Sequence, residues 1–229
     1  MVYNYNLYNN HIVTTIDNKN YLIDSGSFNS FWTYNPIKEV IINDKSYQLS
    51  NKPKLLDLEE MEKLVGTKID GFIGMDILSK TSLTIRKHTQ TSGELLFSAE
   101  EGHGDGVSIV KHRLPLIEVQ CNNFNGRIAI DTGARYAYIL NKELVGGQKP
   151  SSGIEDYNPL LGRLSSGMYR LNVGIGNKSR ELDVCFNRKV YRAFGSGKGE
   201  NEPILITGVM SLFDNVCVID LQKRTLILD

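Results

Sequence analysis

Apolar and polar positions along the chain fall into short alternating runs broken by polar turns. His11 to Asp24 (HIVTTIDNKNYLID) set two β-rich runs around Asp17-Asn18-Lys19-Asn20, which predicts a hairpin. Leu114 to Asp131 (LPLIEVQCNNFNGRIAID) repeat the pattern around a turn at residues 122–126. A shorter hairpin is expected over Glu39 to Leu49, turning near Asn43-Asp44. Helical spacing of apolar residues is sparse, and Leu55 to Leu64 (LLDLEEMEKL) is its best stretch. The pattern predicts an all-β protein in two lobes with few short helices.

The two lobes read as copies of one unit. Each long hairpin ends in an apolar strand that delivers an aspartate, a hydroxyl residue and a glycine: Ile23-Asp24-Ser25-Gly26 and Ile130-Asp131-Thr132-Gly133. Each half then closes alike. Ile69 to Leu78 and Ile204 to Phe213 set Gly74 and Gly208 inside apolar runs. Ser82 to Lys87 and Asn215 to Asp220 follow as β-rich segments, the second joined by Thr225 to Leu228. Glu100 to Gly106 (EEGHGDG) reads as the linker, which divides the chain into residues 1–103 and 104–229.

Composition narrows the classes. Lys plus Arg and Asp plus Glu both number 26, so no basic surplus is available for nucleic acid or an anionic membrane surface. No apolar run approaches the roughly 20 residues of a membrane-spanning helix. The segment Met1 to Asn10 lacks the character of a secretory signal. Cys121, Cys185 and Cys217 are an odd set in β-rich runs, expected to be buried and reduced. A cytoplasmic, monomeric protein is the expectation. The sequon Asn177-Lys178-Ser179 is read as chance. His11, His88, His103 and His112 lack metal-ligand spacing. Gly195 to Gly199 lacks the ending of a phosphate loop, and Gly174-Ile175-Gly176 lacks the third glycine of a dinucleotide site. No cofactor or metal is expected.

The paired aspartates carry the candidate chemistry. A buried strand fixes each carboxylate, and the glycine allows a tight turn and close backbone approach. Packed about a pseudo-twofold axis, Asp24 and Asp131 would meet. Two carboxylates in contact share a proton, so one can act as base toward water while the other donates to a carbonyl. Glycoside hydrolysis also uses two carboxylates, but farther apart.

Asp24-Ser25-Gly26-Ser27 with Trp32 shortly after resembles the motif of pepsin-like aspartic proteases. Asp131-Thr132-Gly133-Ala134 is similar to that of the retropepsin-like enzymes, and Gly74 and Gly208 match the glycine segments behind each catalytic loop. The resemblance implies an aspartic endopeptidase complete in one chain, binding peptide in extended form. It implies a dyad of Asp24 and Asp131, an interlock through Ser25 and Thr132, and support from Gly26 and Gly133. It also implies that Ser27 donates to Asp24, whereas Ala134 has no hydroxyl with which to do the same for Asp131. A catalytically silent peptide-binding module on the same scaffold is the alternative.

The halves differ between landmarks. Asp24 to Gly74 spans 50 positions and Asp131 to Gly208 spans 77. The expectation is a single flap from the second half, over residues 157–175, with its turn at Ser165-Ser166-Gly167 and with Tyr169 as the flap tyrosine. Tyr47 on the short hairpin is the runner-up, that hairpin being read as lobe body. Trp32 is read as packing.

Overall fold

The computed structural model describes residues 1–34, 36, 38–97, 106–110, 114–122, 124–158, 160–195 and 202–229. The expected linker up to residue 105, together with His103, His112 and residues 196–199, lies outside them.

In the first half, β1 is Val2–Tyr8, β2 His11–Ile16, β3 Lys19–Ile23, β4 Phe31–Trp32, β5 Glu39–Ile42, β6 Lys45–Gln48 and β7 Ser50–Asn51. Then come α1 (Leu58–Val65), β8 (Gly71–Ile73), α2 (Met75–Leu78), β9 (Ser82–Lys87) and β10 (Ser92–Leu96). The second half has β11 (Gly106–Val110), β12 (Leu116–Cys121), β13 (Phe124–Ile130), β14 (Ala137–Ile139), β15 (Ser152–Asn158), β16 (Gly162–Ile175) and β17 (Lys178–Phe186). It ends with α3 (Arg188–Phe194), β18 (Pro203–Thr207), β19 (Val216–Asp220) and β20 (Thr225–Leu228).

Turn chemistry sets these boundaries. Asn9-Asn10, Asp17-Asn18 and Asn43-Asp44 all take positive φ, the backbone that two-residue hairpins need and that Asn and Asp tolerate. The helix begins three residues later than its apolar spacing suggests. Asp57 caps it by accepting from the Glu60 amide at 3.2 Å, and Gly66 ends it at φ 89°. Its buried face is Leu58, Met61 and Val65.

The two halves repeat one topology. β3 runs parallel to β8, and β13 runs parallel to β18. β1 pairs with β10 and β10 with β9; in the same way β11 pairs with β20 and β20 with β19. β9 and β19 then pair antiparallel, Thr84 opposite Val218, and join the halves in one sheet. This pairing lies on the pseudo-twofold axis. One apolar cluster runs beneath both halves, from Ile12, Ile23 and Ile73 to Ile130, Leu205 and Leu226.

The halves differ in what lies between aspartate and glycine. In the first, the β5–β6 hairpin lies flat on the lobe. Val40 and Ile42 are buried in the core, and the Asn43 amide and side chain donate to Tyr3 Oη (3.1 Å) and Phe97 O (2.9 Å). Trp32 and Tyr47 are half-buried against the same core.

In the second half, β15, β16 and β17 form a long antiparallel set. The expected turn at Ser165-Ser166-Gly167 is corrected here. Those residues sit in mid-strand on β16, paired with Glu155, Ile154 and Gly153 on one side, and Gly167 also faces Phe186 on the other. The turn is at the Asn158–Gly162 end instead. Asn158 Oδ1 accepts from the amides of Leu160 (2.9 Å) and Leu161 (3.1 Å), and Gly162 takes φ 71°. Small residues misled the reading, because serine and glycine also fit a closely packed central strand.

The turn end of this hairpin reaches the first half. Arg163 donates through Nε and Nη2 to both carboxylate oxygens of Glu60 on α1, at 2.6 and 3.0 Å. Tyr157 Oη accepts from the Asp57 amide at 3.2 Å, and its ring packs on the cluster of Val13, Leu22, Phe31 and Met61. No helix among the described residues is long and apolar enough to cross a membrane.

Fork-to-fork pairing fixes orientation as well as distance, so this contact should hold the hairpin end against α1. Arg163→Ala is expected to speed amide exchange at least severalfold across residues 154–164 without changing exchange in β9 and β19. Unchanged exchange at the hairpin would show that the pair does not secure it.

Candidate active site

The site is built where β3 and β13 end. Asp24 follows Ile23, and its amide donates to Ile73 O at 2.9 Å; Asp131 follows Ile130, and its amide donates to Thr207 O at 2.9 Å. Behind each loop a glycine passes. A Cβ on Gly74 would lie 2.8 Å from Asn29 backbone and from Ser27 O, and one on Gly208 would strike Ala134 O. Any side chain at either position would push its loop out of place.

Ser25 and Thr132 lock the loops together. The Ser25 amide donates to Thr132 Oγ1 (2.8 Å), and the Thr132 amide donates to Ser25 Oγ (2.9 Å). Ser25 Oγ donates to Ile130 O (3.0 Å), and Thr132 Oγ1 donates to Ile23 O (2.9 Å). Both residues are buried. Each hydroxyl therefore accepts from the opposite loop and donates to the opposite strand.

The interlock brings Asp24 and Asp131 within hydrogen-bonding contact. Each loop glycine presses on the opposite acid. A Cβ on Gly26 would lie 2.7 Å from Asp131 Cγ, and one on Gly133 would lie 2.5 Å from Asp24 Cγ. The amides of Gly26 (2.9 Å) and Ser27 (3.1 Å) donate to Asp24 Oδ1, and the Gly133 amide donates to Asp131 Oδ1 (2.9 Å). Burial and the facing Asp131 hold the Asp24 carboxyl well above the usual carboxylate range. Burial raises Asp131 too, against the lowering pull of the Gly133 amide and the Asp24 hydrogen bond. Both shifts favour the protonated form of the pair.

Ser27 differs from its expected role. Its hydroxyl turns away to Asn29 O at 2.8 Å, and only its amide reaches Asp24. With Ala134 opposite, neither loop gives its acid a hydroxyl donor at this position. The expected flap residues also serve other contacts. Ser166 is buried and accepts from Asn187 Nδ2 at 3.2 Å, and the same nitrogen donates to Ser165 O at 2.9 Å. Gly167 lies against Pro150, and the half-buried Tyr169 packs on the core.

Three neighbours escaped the sequence reading. His11 on β2 is buried and donates from Nδ1 to Gly133 O at 2.9 Å, since a carbonyl can only accept. Burial, helped by the charge of Arg135, pushes its pKa down to about 4, so the ring stays neutral at physiological pH. Arg135 stacks over Tyr136 at 4.8 Å. Asp156 on β15 is buried and accepts from Tyr138 Oη at 2.6 Å. Burial raises its pKa, partly countered by that bond. Position after the motif was the only available signal for Arg135. Nothing in spacing marked the other two. Cys121, Cys185 and Cys217 are buried free thiols.

No protein-family profile and no curated protein sequence matches the chain. Among solved structures, the crystal structure of aspartic proteinase from Irpex lacteus superposes with a TM-score of 0.52 at 15% identity. The match covers 99% of this chain and 96% of that one. The fold is accordingly that of the bilobal aspartic proteinases, and the chain has a protease-like scaffold.

A group whose pKa is raised by folding contributes stability at low pH and loses it as pH climbs through the raised value. Unfolding free energy attributable to the dyad should thus decline as pH rises above 3.8, the ordinary aspartate value. Asp131→Asn removes one of the two facing acids whose ionisation burial opposes, and should be more stable than wild type at pH 7. Urea unfolding of both proteins at acid and neutral pH reads this. A variant weaker than wild type at pH 7 would refute it.

Proposed function

We propose that the protein is an aspartic endopeptidase acting in limited peptide or protein processing. The observation that carries this reading is the contact of Asp24 and Asp131 across the pseudo-twofold axis, each pinned by its own loop amides and pressed by the opposite glycine. A shared-proton pair at contact distance suits acid–base attack on an amide better than the wider carboxylate spacing of glycosidases.

The resting pair holds one proton between its two carboxyls, and we take it to start on Asp24. Water bound between the two acids gives a proton to the Asp131 carboxylate as its oxygen attacks the peptide carbonyl carbon. Asp24 passes its proton to the carbonyl oxygen, and a neutral tetrahedral diol results. Asp131 then protonates the nitrogen, the C–N bond breaks, and one diol hydroxyl returns its proton to Asp24. The acid and amine leave, and the pair again holds one proton.

The β15–β16 hairpin is the proposed flap, closing over an extended peptide. Backbone bonding to its strands would supply affinity, and alternating pockets would supply selectivity. The buried, unpaired thiols support a reducing compartment such as the cytoplasm. A monomer suffices, since the chain contributes both acids.

Asp24→Asn and Asp131→Asn are each expected to lower kcat on a peptide library by at least about 10³-fold while melting cooperatively. A statine-type inhibitor should block the wild type. Undiminished cleavage in either variant dismisses the assignment, and a well-folded wild type that binds peptides without cutting any would make it a binding module.

The pH profile is a second measurement. Activity requires one proton on the pair, so it falls where both acids are protonated and where both are ionised. Hydrogen bonds to a carboxylate lower its pKa, and no hydroxyl donor reaches the dyad from Ser27 or Ala134. The optimum of kcat/KM should lie nearer neutrality than in an enzyme with two such donors. A peak at strongly acidic pH would contradict it.

A further inference from the structure

Arg135, on the loop that carries Asp131, is a cation without a carboxylate partner among the described residues. It lies four positions after Asp131, just past Gly133, whose backbone abuts Asp24. The residue is half-buried, and its Nε is buried with no hydrogen-bond acceptor. Such an orphaned donor is costly, more so on a charged group. Among the described residues no carboxylate lies within ion-pair distance of it; the pairs formed there involve Arg127, Arg163, Arg170, Arg180, Lys68 and His88.

Its surroundings fix where a partner could come from. On one side stands His11 of the first half, neutral and tied to Gly133 O. Also near it is Asp156, two residues before the turn end of the β15–β16 hairpin. It is close enough to feel the Arg135 charge, yet its carboxylate is held by Tyr138 Oη. Tyr136 covers one face of the guanidinium. The side chain thus has neighbours in the first half and on the β15–β16 hairpin, Tyr136 meets it by stacking and a side-chain hydrogen bond, and its Nε remains without an acceptor. A planar fork of N–H donors matches a carboxylate better than any neutral group.

We propose that Arg135 is a specificity-determining residue that binds an acidic side chain of the peptide, close to the bond to be cut. The inference rests on the reading of this cleft as a peptide site. It deepens that reading by naming the substrate class: sequences with glutamate or aspartate within a few residues of the scissile bond.

The test uses matched peptides that differ only as Glu or Gln at each of three positions on either side of the cleaved bond. For wild type, kcat/KM is expected to favour Glu over Gln by about tenfold or more at one position, the scale of a charge-assisted hydrogen bond. The gain should appear in KM. In Arg135→Gln the ratio should collapse to about one, while Arg135→Lys should keep part of it. Calorimetric binding of the same pairs with a reduced, uncleavable bond reads recognition apart from turnover. Cleavage with no acid preference at any position, or a preference undiminished in Arg135→Gln, overturns the role of Arg135 and leaves the protease reading standing. Wild type that cuts nothing but binds the Glu isostere tighter, in an Arg135-dependent way, removes the protease reading and upholds the inference. Equal binding of both isosteres by wild type overturns it whatever the turnover.

Discussion

Four hydrogen bonds between Ser25 and Thr132 and the strands behind them hold the two halves in register at the one place where register matters. All four are buried, so losing one hydroxyl strands both a loop amide and a strand carbonyl of the opposite half. Two acids in contact repel when both are ionised, and their loops would relax apart if nothing opposed it. The interlock opposes it with hydroxyls that cannot ionise. A Ser or Thr one residue beyond each aspartate is therefore a mechanical requirement of the pair.

The glycines complete that constraint from behind and from the side. Gly74 and Gly208 give the loops a smooth wall, and Gly26 and Gly133 let each loop press on the opposite carboxyl. The result is a crowded, part-buried centre in which the carboxyls meet each other and a few backbone amides. Burial then dominates their titration and favours the shared proton. Rigid packing around the site and the raised carboxyl pKa values at its heart have one cause.

Much of this was legible in the sequence because it rests on local chemistry. The hairpins announced themselves through Asn and Asp at left-handed turn positions, and β9 and β20 matched their apolar runs residue for residue. The repeat of Asp-Ser-Gly and Asp-Thr-Gly, each with its distant glycine, foretold the pseudo-symmetry. What escaped depends on rotamers and on partners far along the chain. Ser27 could have donated to Asp24, but a carbonyl two residues on captured its hydroxyl. The hairpin turn was misplaced because Ser165-Ser166-Gly167 looks like a turn, and only its pairing with Glu155, Ile154 and Gly153 reveals mid-strand residues. His11 became significant only when folding placed it 122 positions away from its own neighbourhood, against Gly133.

The strand pair on the symmetry axis has a consequence for biogenesis. β9 is complete once residue 87 has been made, yet its partner β19 begins only at residue 216. During synthesis the first half therefore waits with an open, β-branched edge, the kind of surface that recruits another chain. A second copy of the same nascent half is related to β19 by the very repeat that built this protein, so it is the nearest mimic available. Crowded ribosomes on one message would bring such copies together, and the delay before β19 emerges sets the interval in which a kinetic trap by strand exchange competes with correct closure.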